Sequence, residues 1–226
     1  MRAPLSIIIP TLNAGDTLPD CLQALMEGLD RGLIREVVVS DGGSSDATGA
    51  IAQAWGAVVL EGSPSRGGQI VRGCTVARGE WLLILHADTV LSRGWAEVAE
   101  RHMTTTRAGW FRLRFATGGI AARAVAGWAN LRSRLGLPYG DQGLLLPADL
   151  LRRAGGYPDL PLMEDVAVAR ALRGSLQPLD AYAVTSAVQY ERDGWLRRGA
   201  RNLWTLLRYL GGADPQRLAV AYRRDR

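Results

Sequence analysis

Two adjacent acidic residues, Glu164 and Asp165, are the first candidates for chemistry in this sequence. They follow Leu162 and Met163, and apolar neighbours remove water from a carboxylate and raise its basicity, as a general base requires. The residues after the pair recur at helical spacing, and acids in the first turn of a helix are also favoured by the helix dipole. The pair is therefore either a catalytic site or a helix start, and its spacing alone does not decide between them.

Three further polar clusters each follow a short apolar run that predicts a strand. They are Pro10-Thr11-Leu12-Asn13, Asp41-Gly42-Gly43-Ser44-Ser45-Asp46 and His86-Ala87-Asp88-Thr89. In an open parallel sheet such loops meet at the carboxyl edge, where ligands bind. Asp41 stands where a carboxylate can accept hydrogen bonds from a ribose or a base, although Asp, Gly and Ser also form ordinary turns. The first loop lacks Gly-x-Gly-x-x-Gly, which argues against a Rossmann dinucleotide site.

His86 and Asp88 are two residues apart and fall on the same side of an extended chain. A hard divalent cation that arrives with nucleotide phosphates needs few protein ligands, because phosphate oxygens and water complete its shell. One carboxylate, that of Asp88, is then enough for a metal site. The alternative is that Asp88 and Thr89 cap a following helix.

The composition is that of a globular protein, with 226 residues of which 47% are hydrophobic and 22% charged. All 27 basic residues are arginine and the formal net charge is +5, so a catalytic lysine or a P-loop lysine is excluded. Guanidinium groups bind the phosphates of small molecules, membranes or nucleic acids. The sequence contains no recognisable nucleic-acid motif, and a nucleic-acid partner is not predicted. Cys21 and Cys74 lie in no metal-ligand spacing.

The elements that must position these residues are those of an α/β fold. Short β-type runs alternate with segments of helical period, which is typical of a mostly parallel sheet with helices on both faces. The predicted strands are residues 5–9, 36–40, 58–60, 81–85 and 109–115. The predicted helices are residues 18–29, 46–54 and 68–77, one helix after residue 93 and one from about residue 121.

A C-terminal helix over residues 195–210 has an apolar face and a neighbouring basic face. Its apolar face is formed by Leu196, Ala200, Leu203, Leu207 and Leu210, and its basic face by Arg197, Arg201, Trp204 and Arg208. Such a helix suits an anionic membrane surface or a partner subunit. Alternatively, the leucines complete the core and the arginines are simply solvated. No signal peptide or membrane-spanning run is found, so we expect a cytoplasmic protein, with peripheral contact at the inner face of the membrane through this helix.

The order of the polar clusters resembles the signature loops of the family-two, inverting glycosyltransferases of GT-A fold. The resemblance rests on the three loops named above together with Glu164-Asp165, and it covers nearly the whole chain. A narrower resemblance, to a bacterial arsenosugar-biosynthesis-type subgroup, rests on Tyr139-Gly140-Asp141-Gln142-Gly143, Gly155-Gly156-Tyr157-Pro158 and Leu160-Pro161-Leu162-Met163-Glu164-Asp165.

The resemblance implies a single GT-A domain over residues 1–226. Residues 1–115 form its nucleotide-binding half, residues 116–190 its acceptor and catalytic half, and residues 191–226 a helical extension. The implied nucleotide-binding residues are Pro10, Thr11, Asn13, Asp41, Arg66 and His86.

The remaining implied roles concern the cation, the base and the acceptor. Asp88 matches the metal acid, Asp165 the general base and Glu164 its support. The acceptor-side residues are Tyr139, Asp141 and Gln142. The implied ligands are a nucleotide-sugar donor, Mn²⁺ or Mg²⁺ bound together with the nucleotide, and a small-molecule or lipid-linked acceptor.

The sequence departs from the family pattern at two positions. His86 stands where the first metal-motif aspartate usually lies, and a neutral imidazole brings no negative charge to Mg²⁺. Gly42 replaces a second acid that is common in the relatives. A catalytically degenerate nucleotide-binding or scaffold protein of the same fold is therefore the alternative function.

Overall fold

The computed structural model describes residues 3–224, and the side chains of residues 3–222. Its strands are β1 (Leu5–Thr11), β2 (Ile34–Asp41), β3 (Val58–Glu61), β4 (Trp81–Ile84), β5 (Thr89–Leu91), β6 (Ala108–Phe115), β7 (Leu144–Pro147) and β8 (Leu176–Thr185). Its helices are α1 (Leu18–Asp30), α2 (Thr48–Ala54), α3 (Arg66–Val76), α4 (Trp95–His102), α5 (Gly119–Arg134), α6 (Ala148–Arg153), α7 (Glu164–Ala171), α8 (Val188–Asp193), α9 (Trp195–Leu210) and α10 (Pro215–Arg224). The five predicted strands are confirmed, and β5, β7 and β8 add three that the sequence did not predict.

The eight strands form one sheet in the order β3-β2-β1-β4-β7-β6-β8-β5. The half built from β3, β2, β1 and β4 is parallel. β7 runs antiparallel to both β4 and β6, β6 runs parallel to β8, and β5 runs antiparallel to β8. The mostly parallel sheet predicted from the sequence is thus a parallel half joined to a mixed half.

Helices cover both faces of the sheet because its central strands are apolar on both sides. Ile7 and Ile9 pack with Leu22 of α1 and Trp95 of α4 on one face, where all four are buried. Ile8, between them in the strand, packs on the other face in the cluster that includes residues of α3, α6 and α7. The period-two alternation of β1 therefore produces the two helical layers.

The helix predicted over residues 195–210 is present as α9, but the alternative in which its leucines complete the core is wrong. Leu196 is 88% exposed and Leu207 is 52% exposed, whereas Arg198 is buried. Arg198 turns inward because its guanidinium donates to Asp193 at 2.7 Å, which compensates its charge. No helix within residues 3–224 combines the length and the hydrophobicity needed to cross a bilayer.

The N-terminus of α3 is packed backbone to backbone against the loop that leads to α7. The amide of Gly67 donates to the carbonyl of Leu160 at 3.1 Å. A Cβ atom added to Gly67 would lie 2.2 Å from the carbonyl oxygen of Pro158 and 2.5 Å from the amide nitrogen of Leu160. Only glycine fits this contact, which ties Arg66 to the segment that carries Glu164 and Asp165.

We expect Gly67→Ala to lower the free energy of unfolding by about 2–4 kcal/mol, because two backbone segments must separate to admit the methyl group. Urea unfolding of the variant and the wild type measures the difference. Gly49→Ala is the matched control, since a Cβ atom at this α2 position meets nothing within 4 Å. The control should be neutral or slightly stabilising. Equal stability of the two variants would contradict the close contact at Gly67.

Candidate active site

Six of the predicted site residues line a single cavity of about 460 Å³ beyond the end of β4. They are Arg66, His86, Asp88, Tyr139, Asp141 and Asp165. These residues come from four segments that are far apart in the sequence. The cavity therefore brings together candidate donor-side, metal and acceptor-side groups.

The two acids at the start of α7 point in different directions. Asp165 lines the cavity, where its Oδ2 accepts a hydrogen bond from the amide of Gly140 at 2.9 Å and its Oδ1 accepts one from the amide of Val166 at 2.7 Å. Glu164 is 1% exposed and does not line the cavity. Met163, just before them, has a left-handed backbone with φ of 64°, which is strained for a side chain of this size.

Glu164 is held in an unusual environment for a carboxyl group. Neither of its carboxyl oxygens has a hydrogen-bond partner among the described residues. Its pKa is raised to about 7, because burial and the charge of Asp165 raise it more than the charge of Arg66 lowers it. Glu164 therefore holds a proton at pH values at which other glutamates are ionised, and its supporting role stays a prediction.

Asp141 is a second carboxyl group in the cavity with a perturbed pKa. Burial raises the pKa of Asp141 to about 6, the charge of Arg132 lowers it, and the charges of Asp165 and Asp88 raise it. Its Oδ1 atom is buried and has no hydrogen-bond partner among the described residues. The site therefore holds one carboxyl group fixed by two amides, Asp165, and one with an unused oxygen, Asp141.

The neighbouring Gln142 and Tyr139 differ in their access to the cavity. Gln142 is fully buried and does not line the cavity. Its Oε1 accepts from the hydroxyl of Ser133 at 2.5 Å, and its Nε2 donates to the carbonyl of Phe111 at 3.2 Å. Tyr139 lines the cavity and its ring lies under the guanidinium of Arg132. In this structure Gln142 braces the 140–142 turn rather than facing an acceptor.

Gly140 lies between His86 and Asp165. Its amide donates to Asp165, and a Cβ atom at this position would lie 2.5 Å from Nε2 of His86. A glycine is thus required for the turn to pass so close to the imidazole. The backbone of Gly140 sets the separation of the two functional side chains.

The residues available to a cation are few. Burial lowers the pKa of His86 below its ordinary value, although the charge of Asp88 raises it, and the charge of Arg66 lowers it as well. Asp88 is solvent-exposed in the cavity. No group of three or more His, Cys, Asp or Glu side chains with metal-binding spacing occurs within the described chain. Asp88 fits a hard cation whose other ligands come from a diphosphate.

The loops after β1 and β2 form a hydrogen-bonded unit beside the cavity. Both oxygens of the buried Asp41 are engaged, by the hydroxyls of Thr11 and Ser44 and the amides of Gly43 and Ser44, at 2.6–2.9 Å. Burial raises the pKa of Asp41, but these hydrogen bonds outweigh it and keep the pKa below its usual value.

Asn13 extends the same unit, because its side-chain oxygen accepts from the amide of Ser45 at 2.9 Å. Pro10, Thr11, Asn13 and Asp41 do not line the cavity itself. The structure shows these residues shaping the loops, and their contact with a nucleotide stays a prediction.

Several cavity residues were not predicted from the sequence. They are Asp16, Thr17, Gln189, Tyr190, Arg198 and Asn202. Asp16 and Thr17 continue the first loop, so its polar residues could have been predicted as cavity residues from the sequence. Arg198 and Asn202 lie on the inner side of α9, and only knowledge of how that helix is rotated would have identified them.

Comparison with known proteins agrees with this arrangement. The family model described as Glycosyl transferase family 2 matches residues 6–130. The PGL/p-HBAD biosynthesis glycosyltransferase of Mycobacterium tuberculosis is 37% identical over an aligned segment that covers 40% of this chain. That segment spans 38% of the relative's own length.

Solved structures share the fold at low sequence identity. Residues 1–349 of S. aureus TarS in complex with UDP are 17% identical with a TM-score of 0.62, and the match covers 84% of this chain and 62% of that chain. The mannosyltransferase PcManGT from Pyrobaculum calidifontis, in complex with GDP-Man and Mn²⁺, is 20% identical with a TM-score of 0.64. That match covers 90% of this chain and 62% of PcManGT.

The expected GT-A type α/β fold is confirmed by these likenesses, while the narrower arsenosugar-type subgroup stays a prediction. The family match spans more than half of the chain, and it includes all three polar loops, the third of which carries His86 and Asp88. The acid pair lies beyond the matched segment, and the structure brings Asp165 into the same cavity. This chain belongs to glycosyl transferase family 2.

Proposed function

We propose that this protein transfers a sugar from a nucleotide-diphosphate donor to an acceptor hydroxyl with inversion at the anomeric carbon. The observation that carries the proposal is the convergence of Arg66, Asp88 and Asp165 on one cavity. Arg66 supplies positive charge for the leaving group, and Asp88 supplies a carboxylate for a metal ion. Asp165 supplies the base for the acceptor hydroxyl. The donors present in the structures of TarS and PcManGT support the choice of a nucleotide sugar.

Asp165 acts as the general base. Its carboxylate removes the proton of the acceptor hydroxyl, and the hydroxyl oxygen attacks the anomeric carbon as the bond to the diphosphate oxygen breaks. The leaving oxygen keeps the electron pair of that bond, and attack from the opposite side inverts the configuration. The hydrogen bonds from Gly140 and Val166 fix the orientation of Asp165, so the base is positioned before the acceptor binds.

The donor side combines charge with the loops of the parallel half. Arg66 stabilises the negative charge of the departing nucleoside diphosphate. Asp88 would hold Mn²⁺ or Mg²⁺, and a bound cation would neutralise part of the diphosphate charge. Pro10, Thr11, Asn13 and Asp41 shape the nucleotide side of the site, with His86 at its boundary to the acceptor side.

The acceptor occupies the side of the cavity formed by Tyr139, Asp141 and the inner face of α9, with Gln142 bracing the turn. Arg198 and Asn202 of α9 line this side. The acceptor is a small molecule or is linked to a lipid. For a lipid-linked acceptor the reaction takes place at the inner face of the cytoplasmic membrane, with residues 195–210 nearest to the lipid.

We expect Asp165→Asn to lower the transfer rate by about 10²- to 10⁴-fold, because the amide cannot accept the acceptor proton. Donor binding, measured by thermal shift, should persist. Asp30→Asn is a matched control, since Asp30 is exposed at the end of α1 and should leave turnover unchanged. Near-wild-type transfer by Asp165→Asn would require another base, and Asp141→Asn would then be the variant to assay.

Binding of the divalent cation should require bound nucleotide. We expect Mn²⁺ alone to leave the melting temperature unchanged and Mn²⁺ with a UDP-, GDP- or dTDP-sugar to raise it, because the diphosphate supplies most of the ligands. Asp88→Asn should remove the Mn²⁺-dependent part of the increase. If donor binds but no nucleoside diphosphate is released above background, the chain is the catalytically degenerate nucleotide-binding protein instead of an enzyme.

Glu164→Gln should stabilise the protein at alkaline pH. An unfolded glutamate releases its proton near pH 4.5, whereas folded Glu164 retains it up to about pH 7. The stability that this proton provides is present below pH 4.5 and is lost as pH rises through 7. Glutamine does not ionise, so urea unfolding should show a gain on the order of 3 kcal/mol at about pH 8 and little near pH 4.5.

Glu61→Gln is the control for this measurement, because Glu61 is exposed at the end of β3. The control variant should follow the wild-type stability at both values of pH. A gain for Glu164→Gln that is the same at both would show that its carboxyl group is not buried in the neutral form.

A further inference from the structure

Helix α9 leaves exposed the apolar face that its sequence predicts. Its apolar side faces solvent, with Leu196 88% exposed and Trp204 63% exposed. The side that faces the protein is mixed, with Arg198, Thr205 and Leu206 buried. The stacked rings of Trp195 and Tyr190, with centroids 5.0 Å apart, and the ion pair of Arg198 with Asp193 fix this rotation.

Helix α5 presents a second apolar stripe beside α9. Ile120, Trp128, Leu131 and Leu135 recur at helical spacing and are all at least half exposed. The opposite side of α5, which carries Ala122, Ala126 and Ala129, packs on β6. α5 and α9 are in contact, so the two exposed stripes belong to neighbouring helices. We call these two stripes the α5/α9 surface.

The charges on this surface have one sign. The sequence contains no Asp or Glu from residue 101 to residue 140 or from residue 194 to residue 213, which includes both helices. Arg123, Arg134, Arg197 and Arg208 are exposed on them. An apolar stripe with arginine and tryptophan at its edges matches the boundary between anionic headgroups and acyl chains.

We propose that the α5/α9 surface docks the protein on an anionic lipid bilayer. The leucine and tryptophan side chains enter the headgroup boundary, and the arginines bind the lipid phosphates. Arg198 and Asn202, on the inner side of α9, line the cavity, so docking brings the acceptor side of the site next to the lipid. It follows that the acceptor hydroxyl belongs to an amphiphile in that bilayer, a part that rests on the proposed function.

The charge pattern favours lipid over a second copy of the chain. In a two-fold symmetric dimer the α5/α9 surface would meet itself, and its arginines would face arginines, because neither helix carries an Asp or Glu. An anionic headgroup layer supplies the opposite charge across the whole surface. Charge complementarity therefore favours an anionic bilayer over a second copy of the chain as the binding partner of this surface.

Vesicle sedimentation tests the docking. The full chain should pellet with vesicles of phosphatidylglycerol and phosphatidylcholine in equal parts, and bind at least about ten-fold more weakly to pure phosphatidylcholine. Raising the salt from about 0.05 M to about 0.5 M should weaken binding to the anionic vesicles, because the arginine contribution is screened. Equal binding to both vesicle types, or none to either, overturns the proposal.

A matched pair of variants locates the surface. Leu207 is 52% exposed on α9 and Leu29 is 51% exposed on α1, so their substitutions remove similar exposed area. Leu207→Ser should weaken vesicle binding about three-fold, whereas Leu29→Ser should not change it. Adding Trp204→Ser to Leu207→Ser should weaken binding at least about ten-fold. Arg197→Gln and Arg208→Gln should each weaken it about five-fold. Unchanged binding by the Leu207 and Trp204 double variant would rule the surface out.

Three further measurements separate docking from catalysis and from dimerisation. Asp165→Asn should bind vesicles as the wild type does, so loss of docking and loss of the proposed chemistry are observed independently. With an amphiphilic acceptor, the Leu207 and Trp204 double variant should lose transfer in vesicles and keep donor binding. Analytical ultracentrifugation that shows a dimer broken by Trp204→Ser, without vesicle binding, would identify a second copy as the occupant and overturn the lipid proposal.

Discussion

The close packing of Gly140 between His86 and Asp165 is the contact on which the site depends. Its amide orients the carboxylate of Asp165, and its missing side chain leaves room for the imidazole of His86. The side chain of Gln142 holds the same turn through hydrogen bonds with the carbonyl of Phe111 and the hydroxyl of Ser133. One turn therefore fixes groups from the end of β4 and the start of α7, and buried hydrogen bonds keep it in place.

The sheet explains why that turn reaches the cavity. β7 runs antiparallel to β4, and Leu144 at the start of β7 pairs with Ile84 at the end of β4. The turn before β7 must then meet the loop that follows β4. The parallel half delivers the loops after β1 and β2 to the same edge, as open parallel sheets do. The change of strand direction at β7 thus brings the turn of Gly140 and Asp141 to the same edge as the loops of the parallel half.

The first half of the chain was predictable because its strands and loops are continuous in sequence. Ile7 to Ile9 form an uninterrupted apolar run, and polar residues follow directly. The mixed half was harder, since β8 contains Pro178 and Asp180 and lies at no regular spacing from the strands before it. The buried role of Gln142 depends on partners from β6 and α5. Local patterns hold no information about such partners.

The arginines of the α5/α9 surface respond to pH differently from the carboxyl groups in and beside the cavity. A guanidinium group keeps its charge at every physiological pH, so attraction to anionic headgroups does not depend on proton concentration. Asp141 and Glu164, with pKa values raised to about 6 and about 7, change protonation close to neutrality. Acidification of the surroundings would thus protonate groups in and beside the cavity but leave the charge of the α5/α9 surface unchanged.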